Sequence, residues 1–308
     1  MNGLELSRKF FNAHGFPMLK HELGHGMDRI AVGLAGDGSE CYGFDDKISQ
    51  DHDWGPGFCI WLLQEDYDVY GQRLQQAYDK LPDIFEGYGP RKTGQWGSKR
   101  VGVFEIISFY QTFTGREHIP EDYDEWLMLP ENSLAACTNG EIFMDGPGEF
   151  TRHRKKLLSF YPDDVRLKKI ASRCMTIGQA GQYNFQRLVH RGELFATRYA
   201  EVKFIADAIS LVFLLNRKYT PFYKWMHRAL KNLPILGEKI YAKISSLTIE
   251  LNFEKKRELI EIISAILINE LVRQGLSLSG SSFIMDHGPE VQARIQDRCL
   301  RRRNVWVG

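Results

Sequence analysis

"GDGSECYGFDDKISQDHDWG", residues 36–55, holds four glycines, two serines and five aspartates. Apolar "RIAVGLA" (29–35) precedes it and "FCIWLL" (58–63) follows. Short apolar runs bounded by turn residues read as buried strands, so this stretch joins two of them. A strand over 29–34 puts Gly38–Ser39 on the turn that follows. Glycine there lets a ligand approach the backbone closely, and a serine hydroxyl with local N–H groups can hold phosphate oxygens. Asp51 and Asp53 are two apart, so on a strand both carboxylates face one side. Such a pair binds Mg²⁺, which in turn binds substrate phosphates. A third carboxylate from a neighbouring strand would complete a two-metal site, and Glu105 in "VGVFEII" is the best-placed candidate.

At 308 residues, 43% of them hydrophobic and 26% charged, the chain has the make-up of a globular protein of one large or two ordinary domains. No apolar run is long enough for a membrane span, and "MNGLELSRKF" lacks the apolar core of a signal peptide. The five cysteines form no C-x-x-C pair. A reduced, cytoplasmic protein without a membrane partner is expected. Charge is uneven along the chain. Residues 1–145 carry 12 Lys/Arg against 24 Asp/Glu, while residues 146–308 carry 28 against 15. An acidic half joined to a basic half suggests two domains with different tasks, one able to hold divalent cations and the other polyanions.

The texture of the sequence changes with the charge. The first half alternates helix and strand signals: a helix over "LELSRKFFNAHGFPML" ending near Pro17, strands at "RIAVGLA" and "FCIWLL", and a helix "DYDVYGQRLQQAYDKLP" ended by Pro82. A glycine-rich loop, residues 87–100, then leads into the strand candidate "VGVFEIISFY". The second half is apolar at helical spacing. In "EKKRELIEIISAILINELVRQG", Leu259, Ile262, Ile263, Ile266 and Leu267 make one apolar face. The fold class expected is α+β: a mixed sheet with helices over residues 1–145, then a helical bundle over 146–308, with the boundary inside "TNGEIFMDGPGEF".

Gly38, Ser39, Asp51, Asp53 and Glu105, in that order and spacing, resemble the nucleotidyltransferase superfamily typified by DNA polymerase β and the aminoglycoside nucleotidyltransferases. More closely, nearly the whole chain resembles a bacterial family of uncharacterised nucleotidyltransferase-like proteins. The stretches that carry this likeness are "GLELSRKFF", residues 29–58, "FYPDDVRLKKIA", "IGQ" and "LLNRKYTPFYKWM". The resemblance implies transfer of a nucleoside monophosphate from a triphosphate, ATP first, to an acceptor hydroxyl with release of pyrophosphate. Asp51, Asp53 and Glu105 would hold one or two Mg²⁺, and Gly38–Ser39 the terminal phosphates. The acceptor, a small molecule, a tRNA end or a protein, is not supplied. The alternative is a non-catalytic nucleotide-binding or regulatory module on the same fold. One departure favours that alternative: Trp54-Gly55-Pro56-Gly57 interrupts the expected strand straight after Asp53.

Related enzymes carry a helical domain after the catalytic one, and here "NRKYTPFYKW" gathers Arg217, Tyr223 and Lys224 as nucleotide-binding candidates. The ordinary reading of that segment is a basic helix C-terminus followed by a proline turn. Arg198 and Glu201 read as an i,i+3 ion pair. "HELGH" (21–25) matches the H-E-x-x-H zinc signature, but Pro17, Gly24 and Gly26 deny it the sustained helix it needs, so zinc hydrolysis is disfavoured. The terminal "RCLRRRNVWVG" is a basic tail and weak evidence for nucleic acid.

Overall fold

The protein is described here by a computed structural model covering residues 1–91 and 99–308; the glycine-rich loop 87–100 lies partly outside them. In chain order the elements are α1 (Gly3–Phe10), α2 (Phe16–Leu23), β1 (Ile30–Leu34), β2 (Cys59–Leu62), α3 (Gln64–Tyr78), β3 (Gly102–Glu105) and α4 (Ile106–Thr114). Then come α5 (Tyr123–Met128), α6 (Glu131–Cys137), β4 (Glu141–Asp145) and α7 (Glu149–Leu158). The remainder is helical: α8 (Asp163–Ile177), α9 (Gln186–His190), α10 (Leu194–Leu215), α11 (Tyr223–Leu230), α12 (Gly237–Ile249), α13 (Phe253–Arg273) and α14 (His287–Ala293). The fold is α+β, with one mixed sheet and a helical C-terminal region.

The chain forms two compact units. The first comprises residues 1–119 and 133–159, the second residues 120–132 and 160–308. The division therefore does not fall inside "TNGEIFMDGPGEF": that stretch stays in the first unit because β4 pairs with β1.

In the first unit the strand order is β3-β2-β1-β4. β1 pairs antiparallel with β2 and with β4, while β2 and β3 run parallel. β1 and β2 are buried at every position, as their unbroken apolar runs foretold. One face, with Ile30, Val32, Ile60 and Leu62, packs on Phe10, Phe11, Leu19 and Leu74 from α1 to α3. On the other, Trp61 stacks on Phe150 with ring centroids 3.9 Å apart and meets Phe109 edge-on.

Three local readings are corrected. The first helix does not stop near Pro17. A π-helical turn, Phe11–Gly15, carries it into α2, and Pro17, lacking an N–H, sits in the first turn of α2. "VGVFEIISFY" is not one strand, since β3 ends at Glu105 and α4 begins at once. In the second unit α8, α10 and α13 supply the core. The apolar face of α13 is rotated from the expected one. Ile263, Ile266 and Leu267 are buried, whereas Ile262 is exposed and Ile260 and Leu271 go inward. Lys256 is fully buried as well: its ammonium pairs with Glu201 and donates to the Leu247 carbonyl at 3.0 Å. Glu201 also takes Arg198 at 3.1 Å, the i,i+3 pair the sequence suggested. Among the described residues no helix is long and apolar enough to cross a membrane.

Candidate functional site

Strand direction decides which residues can meet. Gly33 of β1 faces Cys59 of β2, and Cys59 faces Gly102 of β3. The end of β1 and the starts of β2 and β3 thus share one edge of the sheet. The turn after β1, the segment before β2 and the residues before β3 converge there. These carry Gly38–Ser39, Asp51 with Asp53, and Arg100.

Gly38 has φ +131, and a Cβ added to it would lie 2.1 Å from an Arg100 nitrogen, so both conformation and space call for glycine. Asn139 pins the same turn from the start of β4. Its side chain accepts from the Gly36 N–H at 2.9 Å and donates to the Gly36 carbonyl at 2.8 Å. Ser39 is buried, and its carbonyl receives the N–H groups of Tyr42 and Phe44.

Asp51 and Asp53 are not on a strand. Asp51 ends a 3-10 turn (Ile48–Asp51) and is exposed, whereas Asp53 is buried in a left-handed conformation, φ +48. Gly55-Pro56-Gly57 delays β2 until Cys59, which frees the two aspartates from strand alternation. Both still line one cleft of about 360 Å³, with Gln50, Trp54 and Tyr88. His52, between the two aspartates, is exposed.

Glu105 goes elsewhere. It opposes Leu62 at the far end of the parallel pair, three residues and so about 10 Å along β3 from the edge just described. There it caps α4, its two oxygens accepting from the N–H groups of Ile107 and Ser108.

At the site edge the partners of the acids are arginines. Arg100 pairs with the Asp53 carboxylate through Nε and also donates to the carbonyls of Asp53 and Asp37. Arg91 donates to Glu40 at 2.9 Å and to the Asp53 carbonyl at 3.1 Å. Glu40 is 1% exposed, and Arg100 lies 3.7 Å from the same Oε1 that Arg91 reaches. Burial alone would lower the Arg100 pKa, but Glu40 and Asp53 outweigh it and hold the guanidinium charged. Arg91, Arg100 and Asn139 were not among the residues expected at the site.

A three-carboxylate Mg²⁺ site does not fit this arrangement. Asp53 is already neutralised by Arg100, Glu105 is committed to a helix cap at the other end of the sheet, and Asp51 is the one carboxylate of the three left uncommitted among the described residues. Among the described residues no group of three or more His, Cys, Asp or Glu is placed to hold a metal ion. His21 and His25 of "HELGH" belong to different elements, α2 and the 3-10 turn after it, and Glu22 is held by Arg73.

Residues 126–226 match a family described as a domain of unknown function, DUF4037. A crystal structure of a nucleotidyltransferase-like protein from Exiguobacterium sibiricum 255-15 is similar at 10% identity and a TM-score of 0.36, over 87% of this chain and 77% of that one. No curated protein sequence matches the chain.

The helical-unit candidates do not gather on one ligand-facing surface. Arg217, in a left-handed conformation, pairs with Asp163 at 2.7 Å. Lys224 lies over the Trp225 ring. Tyr223 is exposed, its ring tilted against Phe222, and lines a separate cleft with it.

Proposed function

We propose that the N-terminal unit is a nucleotide-binding module. It takes the phosphates of a nucleoside triphosphate, ATP first, on the Gly38–Ser39 turn and Arg91, with the arginines supplying the positive charge. The observation that carries this reading is the state of Arg91. Its side chain is 6% exposed, and its Nε and Nη2 are buried with no hydrogen-bond partner among the described residues. Nε and Nη2 form one edge of the guanidinium, the edge that grips a phosphate through two parallel N–H···O bonds. Buried donors left unmade are expensive, about 1–3 kcal/mol or more for a charged group, so a movement of Arg91 that brings this edge out to an anion is strongly favoured.

A second reading is Mg²⁺-dependent nucleotidyl transfer to an acceptor hydroxyl. It is favoured by Asp51 and Asp53 lining one cleft and by Arg100 linking Asp53 to the Gly-Ser turn at Asp37, and it requires Asp53 to release Arg100. Calorimetric titration of the four nucleoside triphosphates, with Mg²⁺ or with EDTA, separates the two. Binding in EDTA that weakens by about tenfold or more in Arg91→Met and survives in Asp53→Asn is the expected result. Binding that needs Mg²⁺ and disappears in Asp53→Asn overturns the first reading in favour of transfer.

A further inference from the structure

The second unit holds a cleft of about 500 Å³ that nothing in the nucleotide reading uses. Every residue lining it falls between Leu127 and Met226, inside the stretch that matches the domain family. Its floor is a charge network. The Glu131 carboxylate accepts from Arg173 at 3.1 Å, Ser210 at 3.1 Å and Thr220 at 2.5 Å. Asp207 takes Lys203 at 2.7 Å and lies 3.9 Å from Arg173. Arg173 also donates to the Ser210 hydroxyl and the Gly308 carbonyl. Both acids are therefore already matched by cations and hydroxyls.

Lys169 is the exception. It lines the same cleft and is 4% exposed, yet among the described residues it has neither a hydrogen bond nor an ion pair. Its nearest aromatic neighbour is the Tyr161 ring, 5.0 Å from the ammonium. Counting Lys169, Arg173 and Lys203 against Glu131 and Asp207 leaves one cation in excess, and Lys169 is the one with no anionic partner among the described residues. Among the described residues only the face of the Tyr161 ring offsets the burial of this side chain, so a counter-charge arriving at the ammonium is favoured. In keeping with this, burial pushes its pKa below the usual lysine value, Glu131 opposing and Arg173 adding to the effect. Beside it the wall is apolar: Leu129, Pro221, Phe222 and Met226.

We propose that this cleft binds a small organic anion, its carboxylate or phosphate group on Lys169 and its apolar body against Leu129, Phe222 and Met226. A phosphate and a carboxylate present the same anionic oxygens to an ammonium, and a neutral molecule of similar shape gains nothing from it. The site lies wholly within the second unit, so it stands or falls independently of nucleotide binding in the first.

The test is calorimetric titration of the full chain with phenyl phosphate, benzoate and benzyl alcohol, on wild type, Lys169→Met and the exposed-lysine control Lys239→Met. Wild type and Lys239→Met are expected to bind one of the two anions at least about tenfold tighter than benzyl alcohol, with Lys169→Met losing that preference. Whichever anion binds tighter names the natural ligand's acidic group. Equal binding by Lys169→Met and wild type, or no anion preference in wild type, overturns the proposal. Should Lys169→Met fail to fold, hydrogen exchange on wild type decides. Phenyl phosphate must protect the amides of residues 129–132, 169–173 and 220–226, and protection elsewhere or nowhere refutes the site.

Discussion

Replacing Arg100 by methionine tests whether an arginine truly stands where a metal would. Asp53 and Arg100 side chains are 8% and 17% exposed, so the pair is largely buried. Removing one partner of a buried pair costs about 3–5 kcal/mol, because the surviving charge is left uncompensated. Arg91 still reaches Glu40 and the Asp53 carbonyl, which argues for the lower end, near 3 kcal/mol. For a chain of this size that corresponds to a fall in Tm of roughly 6–12 °C. The variant also exposes two carboxylates on one cleft, so Mg²⁺ gains a site it lacked. At a concentration of about 100 times its Kd it would return roughly 2.7 kcal/mol. The assay is thermal unfolding of wild type, Arg100→Met and the double variant Asp53→Asn/Arg100→Met, each with and without Mg²⁺. Mg²⁺ should raise Tm for Arg100→Met alone, and the double variant should recover most of the loss without it. A wild-type protein that is itself stabilised by Mg²⁺, together with an Arg100→Met loss under about 1 kcal/mol, would refute the reasoning.

Two further outcomes follow from buried charges elsewhere. Glu201→Gln strands the Lys256 ammonium in the second-unit core and should cost about 3–5 kcal/mol by denaturant unfolding, whereas Glu201→Leu/Lys256→Met should cost far less than either change alone. His153 is buried and stacked on Tyr110 with centroids 4.3 Å apart, and burial holds its pKa below the ordinary 6.5. The unfolded chain therefore takes up the proton first: the stability His153 confers is complete above that value and is lost as pH falls from it toward the folded pKa. In His153→Phe, stability measured between about pH 5 and 7 should depend less on pH.

What the sequence made legible is what periodicity encodes. "RIAVGLA" and "FCIWLL" are β1 and β2 because unbroken apolar runs between turn residues have one good use, and the helical second half declares itself the same way. The Gly-Ser turn was found because only glycine suits its backbone. The acids were harder. The i,i+2 spacing of Asp51 and Asp53 means a shared face only if a strand continues through them, and Gly55-Pro56-Gly57 removes that condition. Glu105 looked like a third ligand because it lies within an apolar run read as a neighbouring strand, but an acid directly before "IISFY" is also a helix cap. The parallel pairing of β2 with β3, which sends Glu105 to the wrong end, is a long-range fact that no local pattern records. Arg91 and Arg100 were missed although a signal existed. A half-chain with twice as many acids as bases, folding acids inward, must bring its few arginines to them.

The excursion of residues 120–132 from the first unit to the second has a practical consequence. Neither unit is a single continuous stretch, so no one cut separates them intact. A fragment starting at residue 146 or 160 would lose Glu131, and with it the carboxylate that Arg173, Ser210 and Thr220 share. On the ribosome the first unit likewise waits for residues 133–159 before its sheet can close on β4. Residues 120–132 emerge before that, while the helices they are destined to join have still to be made.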